Sequence, residues 1–461
     1  MRSNVQPSIF NVSVRIPERD EVFLMNTLSD AQLVVSTDVA ALLDRLATSP
    51  EGPEGNTEKG VLQDLAEHGF VVSDHESERC ALDRFLADYR NDTSQLRVTV
   101  LPTLQCNLAC DYCFQGDHGD YNRRAAKMSL DTAARVARWI EERLDNVRPE
   151  TLTLTFFGGE PLLNLPVTYD LAERAWALTQ ARGVRLVISI ITNGLLLTPE
   201  VVERLLPYGL ASVKITLDGD RDTHNRMRPL RGGQGTFDRI VENIRAVAGR
   251  VRISIGGNFD ESSADSYPAL LDFLKAQDFS DKLAKVAFKP IVRDTAKASG
   301  ANGGPSSGVC AISAGPGGSG LCDSCHFADE TMSFLREETR KRGFQTADGL
   351  HMGPCEIHKR HAYTVGPDGS LYACPGFTGQ PSLSVGHVDG REESWRQTAA
   401  DRFDRLAAWE QCGDCSFIPV CAGGCSVASH TELGDMSAPA CHKQSFESAL
   451  ISLAHQAASA T

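Results

Sequence analysis

The sequence has no apolar run long enough to cross a bilayer, and its opening residues, Met1-Arg2-Ser3-Asn4-Val5-Gln6, begin no apolar signal core. A membrane-spanning protein and an exported one are therefore not expected, and the expected compartment is the reducing cytoplasm. A basic excess is also missing. Against 60 Asp and Glu stand 46 Lys and Arg, a formal net charge of −14, which argues against a nucleic-acid partner because that needs a basic footprint. The balance suits a basic or neutral peptide only weakly, since most acidic surfaces are simply solvated. The Gly-rich stretches at 301–308 and 315–320 are not phosphate loops, because no Gly-Lys-Ser/Thr follows them. At 41% hydrophobic and 23% charged over 461 residues, the chain reads as an ordinary globular protein of two or three domains. Cysteine is what it has in plenty, 14 in all. In a reducing compartment disulfides are not expected, and clustered cysteines point to metal.

The first cluster is Thr103-Leu104-Gln105-Cys106-Asn107-Leu108-Ala109-Cys110-Asp111-Tyr112-Cys113-Phe114, spaced C-x-x-x-C-x-x-C, directly after an alternating apolar run that reads as a strand. Three thiolates on a tight loop can hold three corners of a four-iron cluster and leave one iron open to a small chelating ligand. Zinc is the competing reading, although zinc sites more usually show paired C-x-x-C units. Spacing and flanks resemble the radical S-adenosylmethionine (SAM) enzymes. The resemblance implies that the amino and carboxylate groups of SAM chelate the open iron. One electron then cleaves the sulfonium, and a 5′-deoxyadenosyl radical removes hydrogen from substrate. It also places Tyr112 among the cofactor contacts.

From 96 to 290 strand and helix patterns alternate. Strands are expected at 98–103, 152–157, 185–192, 212–217, 251–257 and 285–290, with helices near 129–144, 165–182, 199–207, 235–248 and 265–277. Such alternation means a parallel sheet with right-handed crossovers, here the partial (β/α)6 TIM-like barrel that the resemblance implies. In such barrels chemistry sits at the C-terminal strand ends. After the second strand stands Gly158-Gly159-Glu160. Two glycines allow close backbone approach to a ligand and Glu160 can accept from an ammonium, but a tight β-α turn accounts for them equally well. The motif resembles the family's Gly-Gly-Glu, which binds the SAM amino group. Asn193, in Ile191-Thr192-Asn193-Gly194, resembles the family's Thr-Asn-Gly turn, and an ordinary Asn-Gly turn fits it too. Thr216 and Asp218 end the fourth strand, before His224-Asn225-Arg226 and Gly235-Thr236-Phe237. They are candidates to face the cofactor ribose, or plain helix caps.

Residues 1–95 read as a small α+β domain: strands at 21–28 and 32–36, helices at 39–46 and 60–69, a short strand at 70–72. Similar leaders in radical-SAM peptide maturases resemble a winged-helix domain that grips a leader peptide as an added strand. A scaffold capping the barrel is the alternative. The barrel domain is set at 96–295, a Gly-rich linker and helix at 296–345, and a cysteine-rich domain at 346–461.

That last domain orders its cysteines as Cys355, a spacer leading to Gly369 and Cys374, then Cys412-x-x-Cys415, Cys421, Cys425 and Cys441. Alone, Cys412-x-x-Cys415 with later cysteines is also a zinc pattern. The full order resembles the SPASM extension of peptide- and protein-modifying radical-SAM enzymes, which carries two further four-iron clusters, making three [4Fe-4S] clusters in all. The resemblance implies that Cys355, Cys374 and Cys425 hold one, and Cys412, Cys415, Cys421 and Cys441 the other. The eighth ligand is then Cys322 or Cys325, unless one iron stays open to substrate. His351, His358 and His361, near Cys355, are expected to be surface or hydrogen-bonding residues.

The expected function is maturation of a ribosomally made peptide or protein by crosslinking (thioether or C–C) or oxidation, fed by a flavodoxin- or ferredoxin-type electron donor. Precursors of geopeptide type are the nearest impression. A sulfatase-maturing relative would place an Asp after Cys374, where this chain has Pro375. A zinc-bound structural or interaction protein is the rival of another class.

Overall fold

The computed structural model describes residues 5–16, 19–48, 56–113, 126–292, 323–346, 350, 353–390 and 394–460. The N-terminal unit comprises β1 (Gln6–Pro7), β2 (Asn11–Arg15), β3 (Glu21–Asn26), β4 (Gln32–Ser36), α1 (Thr37–Thr48), α2 (Asn56–Glu67), β5 (Val71–Val72) and α3 (His75–Asn91). Strands β2-β3-β4 form an antiparallel meander, and β1 pairs with β5. Period-two alternation gives the meander two apolar faces. Leu24 packs with Leu42, Leu46, Leu65 and Phe70 under the helices. Val12, Phe23 and Met25 pack instead against Phe417, Val420, Leu450 and Leu453, so the unit is seated on the cysteine-rich region. Helix α3, which the sequence reading did not anticipate, is capped by Asp74, whose carboxylate accepts from Ser77 N at 2.6 Å.

The barrel follows: β6 (Gln95–Val100), α4 (Leu130–Val147), β7 (Thr151–Phe156), α5 (Leu165–Gln180), β8 (Arg185–Thr192), α6 (Pro199–Leu205), β9 (Leu210–Thr216), α7 (Arg221–Met227), α8 (Phe237–Val247), β10 (Arg252–Phe259), α9 (Tyr267–Lys275) and β11 (Leu283–Pro290). All six strands are parallel and lie in chain order, the expected partial (β/α)6 barrel. Their outward residues, among them Val98, Leu154, Ile188, Val213, Ile253 and Val286, are fully buried under the helices. Each such side chain contributes about 1.5–3 kcal/mol of burial. The intervening residues face the concave side and are mostly polar. The first strand ends at Val100 rather than 103, because Pro102 has no N–H to continue the ladder.

Helix α10 (Asp323–Lys341) leads to β12 (Ala362–Val365), β13 (Ser370–Tyr372), β14 (Gly386–His387), α11 (Ser394–Asp404), α12 (Ile418–Cys421), α13 (Ser426–Leu433) and α14 (Lys443–Ala460). Strand β12 pairs in parallel with β6, with Thr364 opposite Thr99, so this hairpin extends the barrel sheet beyond its first strand. The strand that carries the three-cysteine loop is therefore flanked by the cysteine-rich region. No helix among the described residues is long and apolar enough to cross a membrane.

Candidate active site

The three-cysteine loop leaves β6 and is pinned from both sides. Leu104 N donates to Ala126 O at 2.9 Å, and Ala109 N donates to Pro229 O at 2.9 Å. Cys106 and Cys110 are buried and Cys113 is half-buried, all as free thiols. Leu108, Leu195 and Leu230 enclose them. Burial pushes the Cys110 thiol up to about 12, helped by the charges of Cys106 and Cys113, and burial and then the charge of Glu160 raise that of Cys106. A sulfur in this position is deprotonated by binding a metal, not by solvent. Three thiols on one loop in an apolar pocket supply the donors for three corners of an iron–sulfur cluster.

The Gly-Gly-Glu turn is sewn to this loop. Gly159 N donates to Thr103 O at 3.1 Å and Glu160 N to Gln105 O at 2.8 Å. Gly158 has φ +131°, and a Cβ there would fall 2.4 Å from Thr103 O; one on Gly159 would fall 2.2 Å from Gln105 O. The close approach that the glycines permit is thus to the cysteine loop's own backbone. Glu160 is fully buried. Its Oε1 accepts from Thr192 Oγ1 at 2.7 Å and Leu162 N at 3.1 Å, and its Oε2 accepts from Asn193 N at 2.8 Å. Burial raises its pKa, and these donors pull it back. Asn193 Nδ2 donates to Asn107 Oδ1 at 2.7 Å and lies 3.7 Å from Cys106 Sγ. An N–H so placed would tune the potential of a cluster held by that sulfur.

A second network fixes the far side of the loop. Asp218 is closed to solvent. Its Oδ1 accepts from Asn258 N at 2.6 Å, and its Oδ2 is shared by the Tyr112 hydroxyl and Arg228 Nη1. Arg228 Nη1 also donates to Tyr112 Oη at 2.6 Å. Asp218 N donates to His224 Nδ1 at 3.1 Å, so the ring carries its proton on Nε2, which donates to Thr236 Oγ1 at 3.1 Å. Burial, then the charge of Arg228, presses the His224 pKa well below the ordinary imidazole value. Arg228 Nε is buried with no hydrogen-bond partner among the described residues, a donor that suits an anionic ligand. Thr216, half-buried at the end of β9, faces the concave side.

The later cysteines fall into two groups. Cys355, Cys374 and Cys425 act on one another electrostatically, and burial pushes the Cys374 thiol up to about 12. Cys412, Cys415, Cys421 and Cys441 do likewise, with burial pushing Cys412 up to about 11 and Cys421 up to about 12. Among the described residues, those of the three-cysteine loop included, no group of three or more His, Cys, Asp or Glu side chains is close enough to hold a single metal ion. Cys322, Cys310 and His351 lie outside the described residues, and Cys325 falls in the first turn of α10.

Two outcomes differ from the sequence reading. The His358 ring is neither exposed nor hydrogen-bonded: it is buried, it packs edge-on against Trp409, and neither ring nitrogen has a partner among the described residues. The oxygens of Glu160 and Asp218 are engaged within the protein, so a ligand contact there has to share or displace one of these donors. Arg228 and Asn258 were missed. Arg228 stood two residues beyond the quoted His224-Asn225-Arg226, and Asn258 is a polar residue near the C-terminal end of a barrel strand, which was a usable signal.

Residues 100–259 match the Radical SAM superfamily. Over 195 residues the chain is 26% identical to the Fe-coproporphyrin III synthase of Methanosarcina barkeri, covering 41% of this chain and spanning 42% of that protein's length. Over 343 residues it is 23% identical to the serine-type anaerobic sulfatase-maturating enzyme of Bacteroides thetaiotaomicron, covering 69% of this chain and 80% of that protein. A solved structure described as native anSMEcpe with bound AdoMet superposes with a TM-score of 0.56 at 17% identity, over 78% of this chain and 99% of that one. At this identity the likeness is one of fold.

Proposed function

We propose that this chain, whose residues 100–259 form a radical SAM domain, is a SPASM-type maturase acting on a ribosomally made peptide or protein. The carrying observation is the placement of Cys106, Cys110 and Cys113 on one loop, with Cys106 and Cys110 buried, that backbone bonds hold to the barrel. These residues would hold a [4Fe-4S] cluster, which when bound supplies the electron that cleaves SAM to a 5′-deoxyadenosyl radical. The chain's own residues do the positioning. Asn193 donates toward Cys106. Glu160 fixes the ends of β7 and β8, where its buried carboxylate can share an ammonium. Arg228 offers its orphaned Nε to a carboxylate. Tyr112, Asp218 and Asn258 hold the loop against β9 and β10.

The grouping of the later cysteines supports two auxiliary clusters, one on Cys355, Cys374 and Cys425 and one on Cys412, Cys415, Cys421 and Cys441. Cys322 or Cys325 would complete the first. The meander of the N-terminal unit ends in β4, whose outer edge has no partner strand among the described residues and suits an added leader strand. A flavodoxin- or ferredoxin-type protein would supply electrons. Pro375 after Cys374, with no ionisable group, weighs against formylglycine formation. The test is reductive cleavage of SAM. Anaerobically reconstituted protein with dithionite should yield 5′-deoxyadenosine, and a Cys106→Ala/Cys110→Ala/Cys113→Ala variant should yield none. No product from the wild type, or equal product from both, defeats the reading.

A further inference from the structure

The six barrel strands contain no Asp or Glu at all, yet β9 and β11 carry Lys214, Lys285 and Lys289. Lys214 alternates with the fully buried Val213 and Ile215, and Lys285 precedes the fully buried Val286. All three lysines therefore stand on the concave face. Register places Lys214 opposite Ser254 and Ser254 opposite Lys285, so two lysines flank one serine in a single row. With strands about 4.8 Å apart, their Cα atoms are roughly 10 Å apart. The Lys214 stem runs over Gly256: a Cβ on that glycine would meet Lys214 Cε at 2.7 Å. Its ammonium thus rises toward Lys289, which is register-paired with Asn258.

None of the three lysines makes an ion pair or hydrogen bond among the described residues. Protein crowding and the charges of Lys289 and Lys285 lower the Lys214 pKa, even though its side chain is open to the lumen. Like charges standing together on one face repel one another, and a bound anion removes that cost. The position of the row says which anion. Asn258, beside Lys289, donates to Tyr112 of the three-cysteine loop at 3.3 Å. The lysines therefore floor the concave face beside the three-cysteine loop, where a substrate would lie. A sulfonium is itself cationic, and its carboxylate already has Arg228 available.

We propose that Lys214, Lys285 and Lys289 recognise carboxylate side chains of the peptide, so that the segment presented for hydrogen abstraction is acidic although the protein as a whole is acidic too. This rests on the maturase reading above. Binding to reconstituted holoenzyme with SAM is measured by fluorescence anisotropy for three labelled probes: an Asp-rich peptide amidated at its C-terminus, its Asn isostere, and that isostere with a free C-terminal carboxylate. The Asp-rich probe should bind at least about tenfold more tightly than the amidated isostere, the effect of one or two partly screened charge pairs. A Lys214→Gln/Lys285→Gln/Lys289→Gln variant should lose that preference, whereas Lys282→Gln, outside the lumen, should keep it. No preference, a preference that survives the triple change, or a preference for the free C-terminus alone overturns the proposal. So does a triple variant that weakens SAM binding in place of peptide discrimination. The same preparation is assayed for 5′-deoxyadenosine. Its absence defeats the maturase reading, whereas its presence without charge preference defeats this inference alone.

Discussion

The two cysteine regions are held in opposite ways. Around Cys106, Cys110 and Cys113, backbone bonds to 126 and 229 and a turn from the next strand fix the loop before any metal arrives. From Cys374 to Cys441 the described residues run through short helices and single 3-10 turns, over a small apolar cluster that includes Phe377, Phe403 and Leu406, and Cys415 and Cys421 border a core that is completed by Val12, Phe23 and Met25 of the N-terminal unit. Cys355, Cys425 and Cys441 are exposed. A site inside a large core is preorganised by burial already present. A site with little core of its own leans on the bond energy of whatever its thiolates bind.

This contrast can be broken at either end. The largest effect is expected in the cysteine-rich region. Cys421→Ser should remove about four irons and open 405–442 to limited proteolysis, with the barrel intact by hydrogen exchange. Retention of full iron would dissolve the four-cysteine group. Next is Gly159→Ala, whose methyl collides with the Gln105 carbonyl. Overpacking against backbone costs about 1–3 kcal/mol, and the expected readout is reduced occupancy of the first cluster with the auxiliary clusters unchanged. If the first cluster loads normally, the loop is less rigid than described.

Glu160→Gln replaces an acceptor facing three donors with a group that brings donors of its own. Chemical denaturation should show a loss of about 1–3 kcal/mol. An unchanged midpoint would mean that the carboxyl is held protonated. The smallest effect is on pH dependence. His224 is neutral when folded and titrates near 6.5 when unfolded. Its contribution to stability is complete above that value and is lost as pH falls toward the depressed folded pKa. The slope is at most about 1.4 kcal/mol per pH unit. His224→Asn, which keeps an acceptor for Asp218 N, should flatten the fall in stability between neutral and mildly acidic pH. Parallel curves would assign that fall to other groups.

Much of this was legible locally. The strand at 185–192 was read with its observed ends, because Ile188 and Ile190 alternate with half-buried neighbours. The three-cysteine loop stood out by its spacing as a candidate site, and Gly158-Gly159-Glu160 marked the next strand end. Less legible were β2 and α3, whose apolar residues are spent on a partner region several hundred positions away. The hydrogen-bonding role expected of His358 failed because Trp409, far along the chain, closes over its ring.

Sequence alone determined which residues are the candidates to carry the chemistry, since cysteine spacing and apolar period are short-range properties that a chain keeps before it folds. Only the tertiary structure decided what those residues face. Glu160 meets Thr192 and Asn193 across two strands, and Tyr112 meets Asp218 and Arg228 across the loop. Lys214 shares a floor with Lys285 because register, set by burial of the opposite faces, aligns β9, β10 and β11.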